Sequence, residues 1–215
     1  MSASAEALAS ARLARLRAAP RRPGEASFFF YEAHFRSDAV KVLPGEHFVH
    51  DEDIAILTTL GSCIAACLWD TRARVGGMNH FMLPQLESAG GAAGASGRYG
   101  LHAMELLINE LQRRGASRGT LEAKVFGGAQ VIDGMHSMNV GARNTGFVLD
   151  YLRIERIPVV SKDVLDVHPR KVCFLPASGR ALVKRLAATQ AGATLALERA
   201  AAARAPVPAG SVDLF

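Results

Sequence analysis

Short apolar runs separated by turn-forming residues dominate the middle of the chain. Residues 27–35, 54–58, 62–69, 75–83, 121–126, 157–161, 171–175 and 181–186 are rich in β-branched, aromatic and aliphatic side chains and predict strands. Two stretches follow a helical period instead. Residues 100–114 set Met104, Leu107, Ile108 and Leu111 on one stripe and stop at Gly115. Residues 145–156 carry Phe147, Leu149, Tyr151 and Leu152, with Asn144 or Thr145 as the expected cap. Many strands with two separated helices predict an α/β fold, a layered sandwich of mainly antiparallel β-sheets with flanking helices. The regular strand–helix alternation of a doubly wound nucleotide-binding fold is missing, and no G-x-G-x-x-G follows a strand.

The ends read differently. Residues 1–26 are rich in Ala, Arg and Ser and close on Pro20 and Pro23, which stop a helix; they predict a basic, flexible extension. Residues 187–215 are Ala-rich and then broken by Pro206 and Pro208, which predicts a tail. Residues 27–186 are left as one domain, interrupted only by the low-complexity run SAGGAAGASG at 88–97, expected to be a mobile loop.

Composition narrows the function classes. A chain of 215 residues, 49% hydrophobic, can bury one sizeable core. Of the net charge of +5, residues 1–26 supply +3 through Arg12, Arg15, Arg17, Arg21 and Arg22 against Glu6 and Glu25. A basic tail therefore accounts for the balance better than a nucleic-acid face, and no nucleic-acid recognition motif is present. No apolar run reaches the roughly eighteen residues of a membrane span, and the N-terminus lacks a signal-type apolar core; a cytoplasmic protein without membrane insertion is expected. Cys63, Cys67 and Cys173 are odd in number and unevenly spaced, which argues against a disulfide framework. The Cys63/Cys67 spacing is one residue longer than C-x-x-C and no second ligand pair follows, so no metal is expected.

Chemistry concentrates in ILTTLGSCIAACLWDTRARVGGMNHFMLP, residues 56–84. If residues 63–69 and 75–82 form a hairpin over an Asp70–Ala73 turn, opposed residues have numbers that sum to 143, and Cys63 faces His80. Directly opposed side chains lie roughly 4.5–5.5 Å apart at Cβ, within reach of a thiol and an imidazole. A thiolate is a nucleophile, and a neighbouring imidazole can take its proton, protonate a leaving amine and activate water. Backbone N–H groups around Gly61 and Ser62 can stabilise an oxyanion, with small residues allowing close approach. Cys67 and Cys173 read as small buried hydrophobes. His34, His47, His50, His102, His136 and His168 show no ligand spacing.

LGSCIAACLWD followed by GGMNHFMLP, together with RYGLHAMELLINEL, LEAKVFGGAQ, NVGARN and PRKVCFLPASGRALVKRL, resembles the CheD family, the chemoreceptor glutamine deamidases of bacterial chemotaxis. The matching blocks run from about Phe28 to Leu186. The resemblance implies hydrolysis of selected glutamine side chains on methyl-accepting chemotaxis receptors to glutamates, without metal or organic cofactor. It implies packed sheets similar to the catalytic domains of toxins that deamidate Rho-type GTPases, and a CheC-type phosphatase as a further partner. It also implies a Cys–His–Thr triad, in which Cys63 and His80 match the first two members. In several relatives the threonine stands six residues before the cysteine, where this chain has Leu57. Thr58 and Thr59 are both open as the third member; a continuously extended strand would put Thr59 on the face of Cys63, and Asn79 is a further alternative. A non-catalytic adaptor that binds receptors or a CheC-type phosphatase is the rival reading. A cysteine protease or transglutaminase ranks below it, since no protease-type context surrounds Cys63.

Overall fold

The computed structural model describes residues 11–83, 92–130, 140–187 and Ala196. Ten strands are seen: β1 (Phe28–Glu32), β2 (Ser37–Lys41), β3 (His47–His50), β4 (Ala55–Leu60), β5 (Ile64–Asp70), β6 (Val75–Asn79), β7 (Leu121–Gly127), β8 (Val159–Val164), β9 (Arg170–Leu175) and β10 (Arg180–Arg185). Helices occupy residues 11–18 (α1), Ala92–Arg113 (α2) and Val140–Ile154 (α3). The strands form two five-stranded sheets, ordered β1-β2-β4-β9-β10 and β3-β6-β5-β7-β8. Each sheet is mixed: β2 runs parallel to β4 and β7 parallel to β8, and the other pairings are antiparallel. The β7–α3–β8 crossover is a parallel unit that the hydrophobic pattern alone does not reveal.

Three layers result. Phe29, Val40, Ile56, Leu60, Val172 and Phe174 of the first sheet meet Phe48, Ala65, Cys67, Met78 and Phe126 of the second. On its other face the second sheet carries Ile64, Ala66, Leu68 and Val125, packed on Met104, Leu107, Ile108 and Leu111 of α2 and on Val148, Tyr151 and Leu152 of α3. Each such large side chain contributes roughly 1.5–3 kcal/mol on burial. Strand β5 is buried on both faces, which explains why its sequence up to Trp69 is a run of small and apolar residues rather than an alternation. The α2 stripe ends as its sequence predicts: Gly115 adopts φ +94°, and the N–H of Ala116 returns to the carbonyl of Leu111.

Several expectations are corrected. The strand expected over 27–35 is cut by a turn at Ala33–Arg36, where Arg36 adopts φ +49°, and the chain folds back as β2. Strand β3, two histidines around Phe48–Val49, is too short and polar to register as an apolar run. Residues 92–97, expected to be part of a mobile loop, are helical, while 84–91 lie outside the described residues. Gly100 sits against Phe147 and Leu83 so closely that an added Cβ would lie 2.5–2.6 Å from them, so α2 is held by packing its composition does not advertise. Helix α3 is already formed at Val140, which places Asn144 and Thr145 inside it rather than at its cap.

Within the segment expected to be a flexible extension, α1 is docked on the body. Leu13 and Leu16 pack on the inter-sheet core, Arg12 pairs with the buried Asp38, and Arg22 pairs with Glu110. The Arg21 guanidinium lies 4.6 Å above the Phe29 ring. Much of the basic charge is thus matched internally. The tail expected over 187–215 lies outside the described residues apart from Ala187 and Ala196.

The β5–β6 hairpin is set by Asp70. Its carboxylate accepts the N–H groups of Arg72 (2.8 Å) and Ala73 (2.9 Å) within the turn, then the Ser117 N–H (2.8 Å) and the Thr120 hydroxyl beyond it. Burial opposes the carboxylate charge, but these hydrogen bonds outweigh it and hold the pKa at about 2. Asp70→Ala is expected to cost about 2 kcal/mol in urea unfolding at neutral pH. A carboxyl depressed on folding stabilises above its unfolded pKa of about 4, and that contribution is lost as the pH falls through the folded value of about 2. The stabilities of the wild type and Asp70→Ala should therefore converge between these two values.

Candidate active site

Because Asp70 belongs to the strand, the turn spans Thr71–Arg74 and the register differs from the simplest expectation. Paired residues are Cys67 with Met78, Leu68 with Gly77, Trp69 with Gly76 and Asp70 with Val75, numbers that sum to 145 rather than 143. No bulge forms at Gly76–Gly77; these glycines are packing positions, where a Cβ would meet the Pro176 carbonyl oxygen at 2.7 Å and Val49 at 2.5 Å. The bridge between Ile64 and Phe81 keeps the same register. Cys63 and His80 are therefore diagonal neighbours rather than opposed ones. The shift is by an even number, so both still point to the same face, and diagonal side chains roughly 7–8 Å apart remain within reach of long groups. Cys63 is 0% exposed and His80 2% exposed.

A hydroxyl of the first sheet meets His80. Strand β4 belongs to that sheet and β5 to the second, and the chain crosses between them through Gly61–Ser62–Cys63. The crossing breaks the continuous alternation that would have put Thr59 beside Cys63. Thr58 shares its face with Ile56 and Leu60 of the inter-sheet core, whereas Leu57 lies on the outer face with Cys173. The Thr58 hydroxyl is 2.8 Å from His80 Nδ1 and 2.8 Å from the Val42 carbonyl oxygen. A carbonyl can only accept, so Thr58 donates to Val42 and accepts from Nδ1–H. This assigns the proton to Nδ1 and leaves Nε2 as the basic nitrogen of the neutral ring. Thr59 is not part of this contact; it pairs with Lys171 in the β4–β9 ladder. Asn79 faces the helices and donates to the Ala103 carbonyl.

Three carbonyls of the crossing are held. Gly61 accepts from Ala129 N–H (2.8 Å), Cys63 from Gly128 N–H (2.7 Å), and Ser62 from Asn144 Nδ2 (2.8 Å). Gly127 (φ +111°) leaves no room for a side chain, since a Cβ there would stand 2.2 Å from the Cys63 oxygen. The Ser62 hydroxyl reaches Met82 Sδ at 3.7 Å. Tyr99 of α2 borders the site: its hydroxyl lies 3.5 Å from where a Gly45 Cβ would be, and the Gly45 N–H donates to the His80 carbonyl (2.7 Å). Burial, and then the nearby Cys63, push the Tyr99 hydroxyl upward in pKa. Burial also raises the thiols of Cys67 and Cys173, the latter to about 12, so neither is a ready thiolate.

The structure brings Cys63, His80, Gly61 and Ser62 into one locality, together with Val42, Gly127–Gly128, Tyr99 and Asn144, which the sequence pattern does not single out as site residues. Paired glycines at the end of β7 are a usable signal; a backbone carbonyl such as that of Val42 leaves none. Among the described residues no three His, Cys, Asp or Glu side chains gather as a metal-ligand set. None of the described helices is long and apolar enough to cross a membrane.

Comparisons with known proteins bear on this arrangement. The family model for CheD chemotactic sensory transduction matches residues 82–185. A relative from Albidiferax ferrireducens, named a probable chemoreceptor glutamine deamidase CheD 1, is 60% identical over 211 residues, covering 96% of this chain and 88% of its own length. Relatives with the name probable chemoreceptor glutamine deamidase CheD from Ralstonia nicotianae and Burkholderia vietnamiensis are 47% and 50% identical, with 86% of this chain covered in each case and 82% and 78% of theirs. Among solved structures, the Bacillus licheniformis hypothetical protein YfiH gives a TM-score of 0.35 at 11% identity over 56% of this chain and 51% of that one, too distant to bear on fold or function. With 60% identity to a relative it covers over nearly nine-tenths of that relative's length, this chain belongs to the CheD family.

Proposed function

We propose that this chain hydrolyses glutamine side chains of methyl-accepting chemotaxis receptors to glutamates, with Cys63 as nucleophile, His80 as general base and Thr58 as the residue that orients His80. The observation that carries the assignment of roles is the Val42–Thr58–His80 chain of hydrogen bonds, which turns the basic Nε2 away from Thr58 on the face it shares with Cys63. His80 takes the Cys63 proton, and the thiolate attacks the carboxamide carbon, placing negative charge on its oxygen. Backbone N–H groups of the Gly61–Ser62–Cys63 crossing stabilise that oxyanion. As the C–N bond breaks, His80 returns its proton to the departing ammonia and a thioester remains. A water deprotonated by His80 then attacks the thioester carbon, the C–S bond breaks to release glutamate, and His80 returns that proton to the departing thiolate to restore the free enzyme. Because Cys63 is fully buried, a glutamine side chain reaches Sγ only when the groups over it move aside.

The family resemblance extends this reading to a reaction in the cytoplasm, to a CheC-type phosphatase as a second partner, and to a common architecture with toxins that deamidate Rho-type GTPases. Each is part of the proposal. The names of the relatives support the receptor substrate; the burial of Cys63 and His80 in one water-poor layer supports the chemistry.

Purified protein mixed with a chemoreceptor cytoplasmic fragment is expected to release ammonia and to convert glutamine to glutamate in peptide mass spectra. Cys63→Ala should abolish both, and His80→Ala should slow them by roughly 10²–10⁴-fold. Undiminished ammonia release by Cys63→Ala would remove Cys63 from the mechanism. An inactive Cys63→Ala that still restores chemotaxis in a strain lacking the protein would favour the adaptor role. The two threonines are separable as well: Thr58→Val should lower kcat by about 10²-fold through a misoriented imidazole, whereas Thr59→Val should leave it near wild type.

A further inference from the structure

The antiparallel pairing of β5 with the β6 side is interrupted on both sides of one bridge. Ile64 and Phe81 exchange both backbone hydrogen bonds, each 2.9 Å long. In such a ladder the hydrogen-bonded pairs recur at every second residue, so the neighbouring pairs are Ala66 with Asn79 and Ser62 with Leu83. Neither has the ordinary form. Ala66 N–H donates 3.0 Å to the Asn79 side-chain oxygen. At the outer pair, Leu83 N–H donates 3.0 Å to Asn144 Oδ1, and Asn144 Nδ2 donates 2.8 Å to the Ser62 carbonyl. The carboxamide of a helix residue thus stands inside the ladder, between an N–H and a C=O that would otherwise meet directly. Cys63 and Met82 lie between this insertion and the Ile64–Phe81 bridge.

Both ends of that carboxamide are specified by sign. The Leu83 N–H needs an acceptor and the Ser62 carbonyl needs a donor, so only an amide of this length serves both. Asn144 is 0% exposed, and the adjacent Arg143 donates from Nη2 to the Leu83 carbonyl at 3.1 Å, so α3 holds both polar groups of Leu83. The Ser62–Cys63 peptide is trans. With its carbonyl drawn toward α3, its N–H points the opposite way.

We propose that Asn144 is a positioning residue: its side chain acts as a spacer in the β5–β6 ladder, holding the strands apart at Cys63 and aiming the Cys63 N–H at the oxyanion. This rests on the deamidase reading given above. Asn144 touches no reacting atom and acts through the Ser62–Cys63 peptide. A direct Leu83–Ser62 bond would close the gap by the width of an amide and rotate that peptide.

The test uses the full-length protein with Asn144→Asp, which keeps size and the acceptor for Leu83 but turns an oxygen toward the Ser62 carbonyl. Three quantities are measured: kcat and KM for ammonia release from a receptor fragment, the pH profile of Cys63 alkylation by iodoacetamide located by peptide mass spectrometry, and thermal unfolding. The expected result is a folded protein with kcat lowered about 10²-fold, KM within about twofold of wild type, and an altered Cys63 alkylation profile. Wild-type kcat and an unchanged profile in the folded variant would overturn the proposal. If Asn144→Asp does not fold, Asn144→Ser, which admits a water to the gap, should show the same loss in kcat at unchanged KM, and wild-type kcat there is equally fatal. A wild-type protein that releases no ammonia and alkylates Cys63 with an ordinary thiol profile would defeat the deamidase reading, and this inference with it. Wild-type ammonia release that the variants match defeats the role of Asn144 alone.

Discussion

Gly61, Ser62 and Cys63 carry the chain from one sheet to the other, and the carbonyl of each is held by a separate donor, Ala129, Asn144 and Gly128. A chain that leaves a sheet exposes polar backbone to a dry interior, where an unmet carbonyl costs on the order of 1–3 kcal/mol. Here the requirement is met by the segment Gly127–Gly128–Ala129, through the N–H groups of Gly128 and Ala129, and by one buried amide of α3. The glycines are needed because the backbone passes so close that Gly127 has no room for a Cβ. The crossing also brings Thr58 and Cys63, near neighbours in sequence, to facing sheets, and Thr58 meets His80 across the layer between them.

The site is thereby assembled from all three layers. The first sheet contributes Thr58 and, through the Val42 carbonyl, the acceptor that fixes the direction of its hydroxyl. The second contributes Cys63 and His80 on one face of β5 and its partner strand. The helical layer contributes Asn144 and Tyr99. None of these groups is placed by its own element alone. The imidazole tautomer, for example, depends on a carbonyl sixteen residues away from the threonine that relays it.

Small residues make the assembly compact. Ala65, Ala66 and Cys67 let β5 lie between two packed faces, and Gly76 and Gly77 let β6 approach Pro176 and Val49. The polar residues at its edges are correspondingly specific. Asp70 closes the hairpin and so decides the register, and the register decides that Cys63 and His80 are diagonal. The N-terminal segment adds a different kind of constraint: Arg12 of α1 is matched by Asp38 and Glu52, and Arg22 beyond it by Glu110, so this stretch is fastened to the body.

Local chemistry was readable from the sequence wherever it is carried by residue type and short spacing. The α2 stripe and its Gly115 stop, the positions of most strands, and the association of Cys63 with His80 all follow from apolar periodicity and from parity along a hairpin. Parity survives a register shift of two, which is why Cys63 and His80 share a face although they are not directly opposed. What the sequence could not decide was anything that depends on where the chain changes sheet. A continuous strand would put Thr59 beside Cys63; with the crossing at Gly61–Ser62 it is the Thr58 hydroxyl that meets His80. The same holds for the parallel pairings, for α1 and for Asn144, whose side chain looks like a helix cap in one dimension. Only three-dimensional packing places it between Ser62 and Leu83, because hydrogen bonds of this kind join residues with no relation in sequence.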